Sequence, residues 1–296
     1  MRTLLICAML GIASTAFAQD GLQGAIDVHV HASPDSRPRL LDALEVVRAA
    51  KDRGMRAVVI KNHYEWTSDL AYILRKVVPG IEVFGGVDLN LTLGGINPAA
   101  VAYMAASAPG VGRIVWMPTF DNENNVRYEK TNLPFVSVSR NGELLPAVRE
   151  VIALIAKHNL IRATGHSTPA EVLMLLQEAK RAGVKQMIVT HGMIPPVLMT
   201  VEQMQEAAKL GAYVEFVGST LRSADAKERM DRFADAIKKI GPESVIMSTD
   251  LGQAANEPPT DGFAAFMAAM RERGITSAQV DLMTKRNPAR LLGLSE

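Results

Sequence analysis

The stretch Asp27-Val28-His29-Val30-His31-Ala32-Ser33-Pro34 places two imidazoles two residues apart. Ala25 to His31 alternates small or apolar residues with polar ones and is rich in Val and Ile, which predicts a strand. Residues two apart in a strand project to the same side, so His29 and His31 point together. Neutral imidazole nitrogen suits Zn, Fe, Ni and similar ions, and two converging rings supply half of a metal site. A merely exposed or hydrogen-bonded pair is the plain alternative. The distribution of the remaining histidines favours the metal.

Of the six His in the chain, five fall at or just past the end of a predicted strand: His29, His31, His63, His166 and His191. Asp250, in Ser248-Thr249-Asp250-Leu251, ends another. Scattered structural histidines would show no such preference.

The elements that must position these residues form an alternating series. Strands are predicted at Ile26–His31, Ala57–Lys61, Glu82–Asp88, Arg113–Pro118, Ile161–His166, Met187–His191, Tyr213–Val217 and Val245–Asp250. Amphipathic helices are predicted between them at Leu40–Arg53, Ser68–Val78, Pro98–Ala108, Leu144–His158, Pro169–Ala182, Val201–Leu210 and Ala224–Ile240. Asp261–Arg273 follows the last strand, and a closing helix is predicted over Ser277–Leu292. Eight strands, each followed by a helix, is the arithmetic of an α/β (β/α)8 TIM barrel in a single domain, with an extra C-terminal helix. A doubly wound open sheet is the rival. Helices repeatedly end in Lys or Arg plus Gly before an apolar strand, as at Arg53-Gly54, Lys180-Arg181-Ala182-Gly183, Lys209-Leu210-Gly211 and Lys239-Ile240-Gly241. Gly supplies a C-cap, the cation suits the negative helix end, and a parallel sheet buried on both faces needs near-continuous apolar strands. In a barrel all strand C-termini meet at one rim, so residues distant in sequence converge there. The loop after the fourth strand, Thr119 to Glu143, is unusually long, and its Asn141-Gly142 predicts a small hairpin.

Met1-Arg2, the apolar run Thr3 to Ala13 and Ala16-Phe17-Ala18 read as a signal peptide over residues 1–18, which predicts an exported protein, periplasmic or secreted. The mature domain is then 19–296, with no membrane span expected. The one Cys, Cys7, leaves with the peptide, so any metal must be held by N and O ligands. Lys and Arg total 32 against 31 Asp and Glu, and loss of Arg2 brings the balance to zero. That argues against nucleic acid or an anionic membrane as partner. The partner expected is a small-molecule substrate; a homo-oligomer is left open.

With its residues in that strand order, the chain resembles the amidohydrolase superfamily of metal-dependent barrel hydrolases. His29 and His31 match its first-strand His-x-His. His166 in Ala163-Thr164-Gly165-His166-Ser167 and His191 in Val189-Thr190-His191-Gly192 match its fifth- and sixth-strand histidines, and Asp250 matches its eighth-strand Asp. The resemblance implies that these residues bind one or two divalent ions, Zn first, with Mn, Fe or Ni as alternatives. It also implies that Asp250 accepts a proton from water while His191 polarises the scissile carbonyl. The implied reaction is hydrolysis of an amide, cyclic amide, ester or lactone. The sequence departs from the two-metal pattern at the fourth strand, where Val115-Trp116-Met117-Pro118-Thr119 offers neither Lys nor Glu. Lys61 and His63 end the second strand instead, and either completes a metal site, binds substrate, supports the ligands from behind or is structural.

Lesser candidates are Asp88 and Asn90 after the third strand, for substrate contact or loop capping, and Arg222, for a substrate carboxylate or as a solvated helix-start residue. Glu215, if it points inward, is a costly charge that needs a partner such as the metal cluster or Lys61, and Asp27 either supports a ligand histidine or pairs with backbone. Decarboxylation or hydration on the same barrel, and metal binding without turnover, are the rival functions. A phosphoesterase that also begins with His-x-His ranks low, because Asp250 is followed by Leu251-Gly252 and not by x-His.

Overall fold

The computed structural model describes residues 21–295; the expected signal peptide lies outside the described residues. The elements run β1 (Ile26–Val30), α1 (Ala43–Asp52), β2 (Ala57–Ile60), α2 (Thr67–Val77), β3 (Glu82–Asp88), α3 (Pro98–Ser107) and β4 (Gly112–Trp116). Next come α4 (Glu123–Tyr128), the hairpin strands β5 (Ser139–Arg140) and β6 (Glu143–Leu144), α5 (Pro146–Lys157), β7 (Ile161–Ala163), α6 (Pro169–Arg181), β8 (Gln186–Val189) and α7 (Val201–Lys209). The chain closes with β9 (Tyr213–Val217), α8 (Ala226–Ile240), β10 (Val245–Ser248), α9 (Pro259–Glu272), α10 (Ser277–Asp281) and α11 (Asn287–Leu292). Eight parallel strands pair in the order β1-β2-β3-β4-β7-β8-β9-β10, the TIM barrel expected. None of the described helices is long and apolar enough to cross a membrane.

Alternation along the strands sorts the core into two layers. Ile26, Val28, Ala57, Val59, Phe84, Ile114, Trp116, Ile161, Ala163, Ile188 and Ile246 fill the barrel. Val58, Val83, Val115, Met187, Val214 and Val245 face outward onto the helices. Ala289, Leu291 and Leu292 of α11 join the inner layer, and Asn287 Nδ2 donates to the carbonyl of Val245 at 2.7 Å. The last helix therefore covers the end where the strands begin. That leaves the opposite rim for chemistry.

The strands carrying site residues are shorter than their apolar runs suggest. β7 stops at Ala163, β8 at Val189 and β10 at Ser248. Beyond those points Gly165, His191 and Asp250 take positive φ values of 60°, 28° and 51°, which a strand cannot accommodate. The long loop differs in a second way: it contains α4, whose Asn122 N-cap accepts from Asn124 N–H at 2.8 Å. The hairpin forms as expected, with φ of 52° at Asn141 and 78° at Gly142, the positive pair that a type I′ turn needs. The closing helix is interrupted over Leu282–Arg286 by a π-turn. Pro288 has no N–H to offer the Thr284 carbonyl, and its ring crowds that turn.

Candidate metal centre

The barrel closes through residues of the site itself. The N–H of Asp250 donates to the carbonyl of His29, and that of His31 to the carbonyl of Leu251, each at 2.8 Å. Asp27 pairs with Val58 but Val30 pairs with Ile60, so β1 holds one residue more than its neighbour. This bulge lets Val28 fill the barrel while His29 and His31 also turn inward. Of its two expected roles, Asp27 takes the pairing with backbone. Its Oδ1 accepts from the N–H groups of His29 and Thr249 at 3.2 and 3.0 Å, tying the first strand to the eighth without touching an imidazole. Burial pushes its carboxyl up to about 7.

Asp250 Oδ1 lies 3.2 Å from His29 Nε2 and 3.0 Å from His31 Nε2. One ligand atom from each of these three residues falls within 4.8 Å of the others. His29 Nδ1 is engaged by Glu215 Oε1 at 3.1 Å, which fixes the ring and leaves Nε2, buried and without a hydrogen-bond partner, aimed at the cluster. Glu215, which the structure turns inward, also accepts from the His191 N–H at 2.9 Å and the Ser248 hydroxyl at 2.7 Å. His166 is held in the same manner: its Nδ1 lies 2.9 Å from Asn125 Oδ1, and its Nε2 faces His191 Nε2 at 3.2 Å. The rings of His63, His31, His29, His191 and His166 form a chain with successive centroids 4.8, 5.2, 6.1 and 4.9 Å apart.

Two of these residues sit in strained backbone. His191 and Asp250 occupy the left-handed region, which is uncommon outside Gly and clusters at functional sites. The neighbouring glycines are there for space. A Cβ on Gly165 would lie 2.2 Å from the Met117 carbonyl oxygen, and one on Gly252 would lie 1.9 Å from that of His31.

The electrostatics suit a cation. Burial holds His31 down to about 3 and pulls His63, His166 and His191 below the ordinary imidazole range. All four are therefore neutral at pH 7 and offer lone pairs. Burial also works against charge on His29, but the carboxylates of Asp250 and Glu215 outweigh it and raise its pKa. Burial would raise Asp250, yet the His29 and His31 imidazoles hold it well below the usual carboxylate range. A buried anion, unpartnered imidazole nitrogens and backing carboxylate and amide groups are the donor set that a divalent ion fits.

The second-strand pair forms a different arrangement. Lys61 Nζ lies 3.4 Å from Asp88 Oδ2 and 3.2 Å from His63 Nδ1, and His63 Nδ1 lies 2.8 Å from Thr119 Oγ1. Thr119 donates to Asp88 at 2.9 Å, and Asn90 donates both to Thr119 at 2.9 Å and to the His63 carbonyl at 2.7 Å. Burial pushes Asp88 up to about 7 despite Lys61.

A cavity of about 240 Å³ opens over the histidines, lined by His31, Lys61, His63, His166, His191 and Asp250. Asp88 stands behind Lys61 and is not on its wall. Nor is Arg222, a candidate for a substrate carboxylate: the chain turns into a 3-10 helix over Gly218–Arg222, where Arg222 pairs with Glu257 at the exposed surface. The wall includes residues that the sequence did not single out: Arg37, Arg39, Phe120, Asn125 and Gln253. Phe120 packs on His63, ring centroids 4.1 Å apart, and edge-on to His166 at 5.7 Å. No periodicity or spacing marked them. A larger groove of about 600 Å³ lies away from the histidines, along α4, the hairpin and the start of α6.

Residues 24–215 match the family of unknown function DUF6282. The chain belongs to that family. The DUF6282 match takes in all five clustered histidines and Glu215 and ends before Asp250. No curated protein matches in sequence. Among solved structures, an amidohydrolase from Pseudomonas aeruginosa is similar with a TM-score of 0.64 at 12% identity, over 93% of this chain and 97% of that one. A phosphotriesterase homology protein from Escherichia coli gives 0.59 at 16% identity, over 91% and 99%. N-acetyl-D-glucosamine-6-phosphate deacetylase from Mycobacterium smegmatis gives 0.59 at 16%, over 92% and 76%. The barrel is thus the fold of the amidohydrolase and phosphotriesterase-like hydrolases.

Proposed function

We propose that this chain is a metal-dependent hydrolase of the amidohydrolase type. On this reading it cleaves an amide, cyclic amide, ester or lactone bond in a small polar molecule. The convergence of His29, His31 and Asp250 at the barrel seam, with His29 braced by Glu215, carries the reading. These three would hold one divalent ion, Zn first. His166 and His191, whose Nε2 atoms face each other beside them, would extend the ligand set to that ion or to a second. A bound divalent ion supplies Lewis acidity and lowers the pKa of water to near 7.

The side chains then divide the remaining work. Asp250 is ionised at neutral pH, so it can accept a proton through Oδ2, the oxygen that Ser219 steadies at 3.2 Å. The same group can return that proton to the leaving atom. His191, fixed through its N–H on Glu215, would polarise the scissile carbonyl. The sequence of residues 1–18 further supports an exported enzyme.

Metal content of the full chain after reconstitution with Zn or Mn tests this reading, beside a hydrolysis screen of lactones, esters and amides. We expect one to two equivalents, falling in His29→Ala. A protein that takes up neither metal, or takes it up equally in His29→Ala, overturns the proposal.

A further inference from the structure

The cavity over the histidines carries three cations on its wall, Arg37, Arg39 and Lys61. Two already face an acidic side chain. Lys61 faces Asp88, and Arg39 Nε donates to Asp35 Oδ2 at 2.7 Å, with both side chains of that pair buried. Arg37 is different: among the described residues it forms no ion pair. Its guanidinium lies 3.8 Å above the Phe120 ring and near the Tyr64 hydroxyl, which itself donates to Asp121 Oδ1 at 3.4 Å. Phe120 in turn rests on His63 and His166, so Arg37 shares the cavity wall with the histidines and is braced on an aromatic face. A guanidinium stacked on an aromatic face presents its N–H fork to a planar, bidentate acceptor.

From this we infer that the substrate carries a carboxylate, which Arg37 binds while the scissile group lies at the histidines. The inference deepens the hydrolase reading and rests on it for the position of the reacting bond. Charge decides between carboxylate and phosphate. One uncompensated cation matches a single negative charge, whereas a phosphate monoester brings about 1.5 to 2. The other acid on the wall, Glu129, is exposed and solvated, and Asp250 faces His29 and His31. Size adds a limit: about 240 Å³ falls below the ~300–1,000 Å³ of pockets for drug-sized ligands, so the molecule is small. A short chain or single ring bearing a carboxylate fits.

The test uses the full chain loaded with Zn, its metal content measured first, and calorimetric titration with glutarate, glutaramide and inorganic phosphate. We expect glutarate to bind at least tenfold more tightly than the neutral diamide and more tightly than phosphate. Arg37→Gln should weaken glutarate about ten- to hundredfold, as for loss of hydrogen bonds to a charged group. Arg222→Gln, away from the cavity, should leave it unchanged. Equal binding of glutarate and glutaramide, tighter phosphate, no glutarate binding, or an Arg37→Gln protein that binds as before overturns the inference. A chain that holds no metal yet binds glutarate through Arg37 would sink the hydrolase reading and leave the carboxylate subsite standing.

Discussion

Two polar clusters share the rim of this barrel, and they are built on opposite principles. At the seam, the buried His29 Nε2 aimed at Asp250 and the Nδ1 atoms of His31 and His191 have no hydrogen-bond partner among the described residues, and His191 and Asp250 sit in left-handed backbone. One strand away, Lys61, His63, Asp88, Asn90 and Thr119 knit themselves together. A buried polar group without a partner is destabilising, by about 1–3 kcal/mol. The seam accepts that penalty and the second-strand cluster avoids most of it. The seam is therefore arranged for an external ligand, whereas the second cluster supports the cavity wall from behind.

Three substitutions sharpen the contrast. Asp250→Asn should have the largest effect on turnover, a loss of about 10²–10⁴, the usual range for removing a positioned acid or base. Steady-state kinetics on any substrate found would show it, and retention of full activity would remove Asp250 from the proton-transfer role. Lys61→Met should act on stability, because it strips Asp88 of its cation. Breaking a buried pair costs about 3–5 kcal/mol. With Asp88 pushed up to about 7, the variant should recover part of that loss at pH 6, where the carboxyl takes a proton, compared with pH 8. Urea unfolding at the two pH values measures it; equal losses at both would mean that Asp88 is not titrating.

The smallest effect is expected at His63. Burial lowers its pKa, so below about 6.5 the unfolded chain binds a proton that the folded chain refuses. Its contribution is complete above the unfolded value and is lost as pH falls. His63→Gln should make metal-free stability less steep between pH 6.5 and 5, by at most about 1.4 kcal/mol per pH unit. It should leave zinc uptake intact, unlike His29→Ala. A loss of zinc equal to that of His29→Ala would merge the two clusters into one centre.

Much of the fold was legible because it rests on local patterns. Helices that end in a cation and Gly did so in the structure, with positive φ at Gly54, Gly183, Gly211 and Gly241. The strand limits were less legible at β7, β8 and β10. Apolar runs do not announce where the backbone turns left-handed, and in this chain it turns to present site residues.

Sequence alone determined which residues stand at strand ends, and therefore that five histidines and Asp250 share one rim. That follows from the period of a strand and the geometry of a barrel. Tertiary structure decided which of them meet. His31 and Asp250 are 219 residues apart and become neighbours because the barrel closes between the first and last strands, with a bulge turning His29 inward. It also decided that Glu215 braces His29, that Lys61 pairs with Asp88, and that Arg37, above Phe120, forms no ion pair among the described residues. Those pairings depend on distances between loops, and no local propensity encodes them.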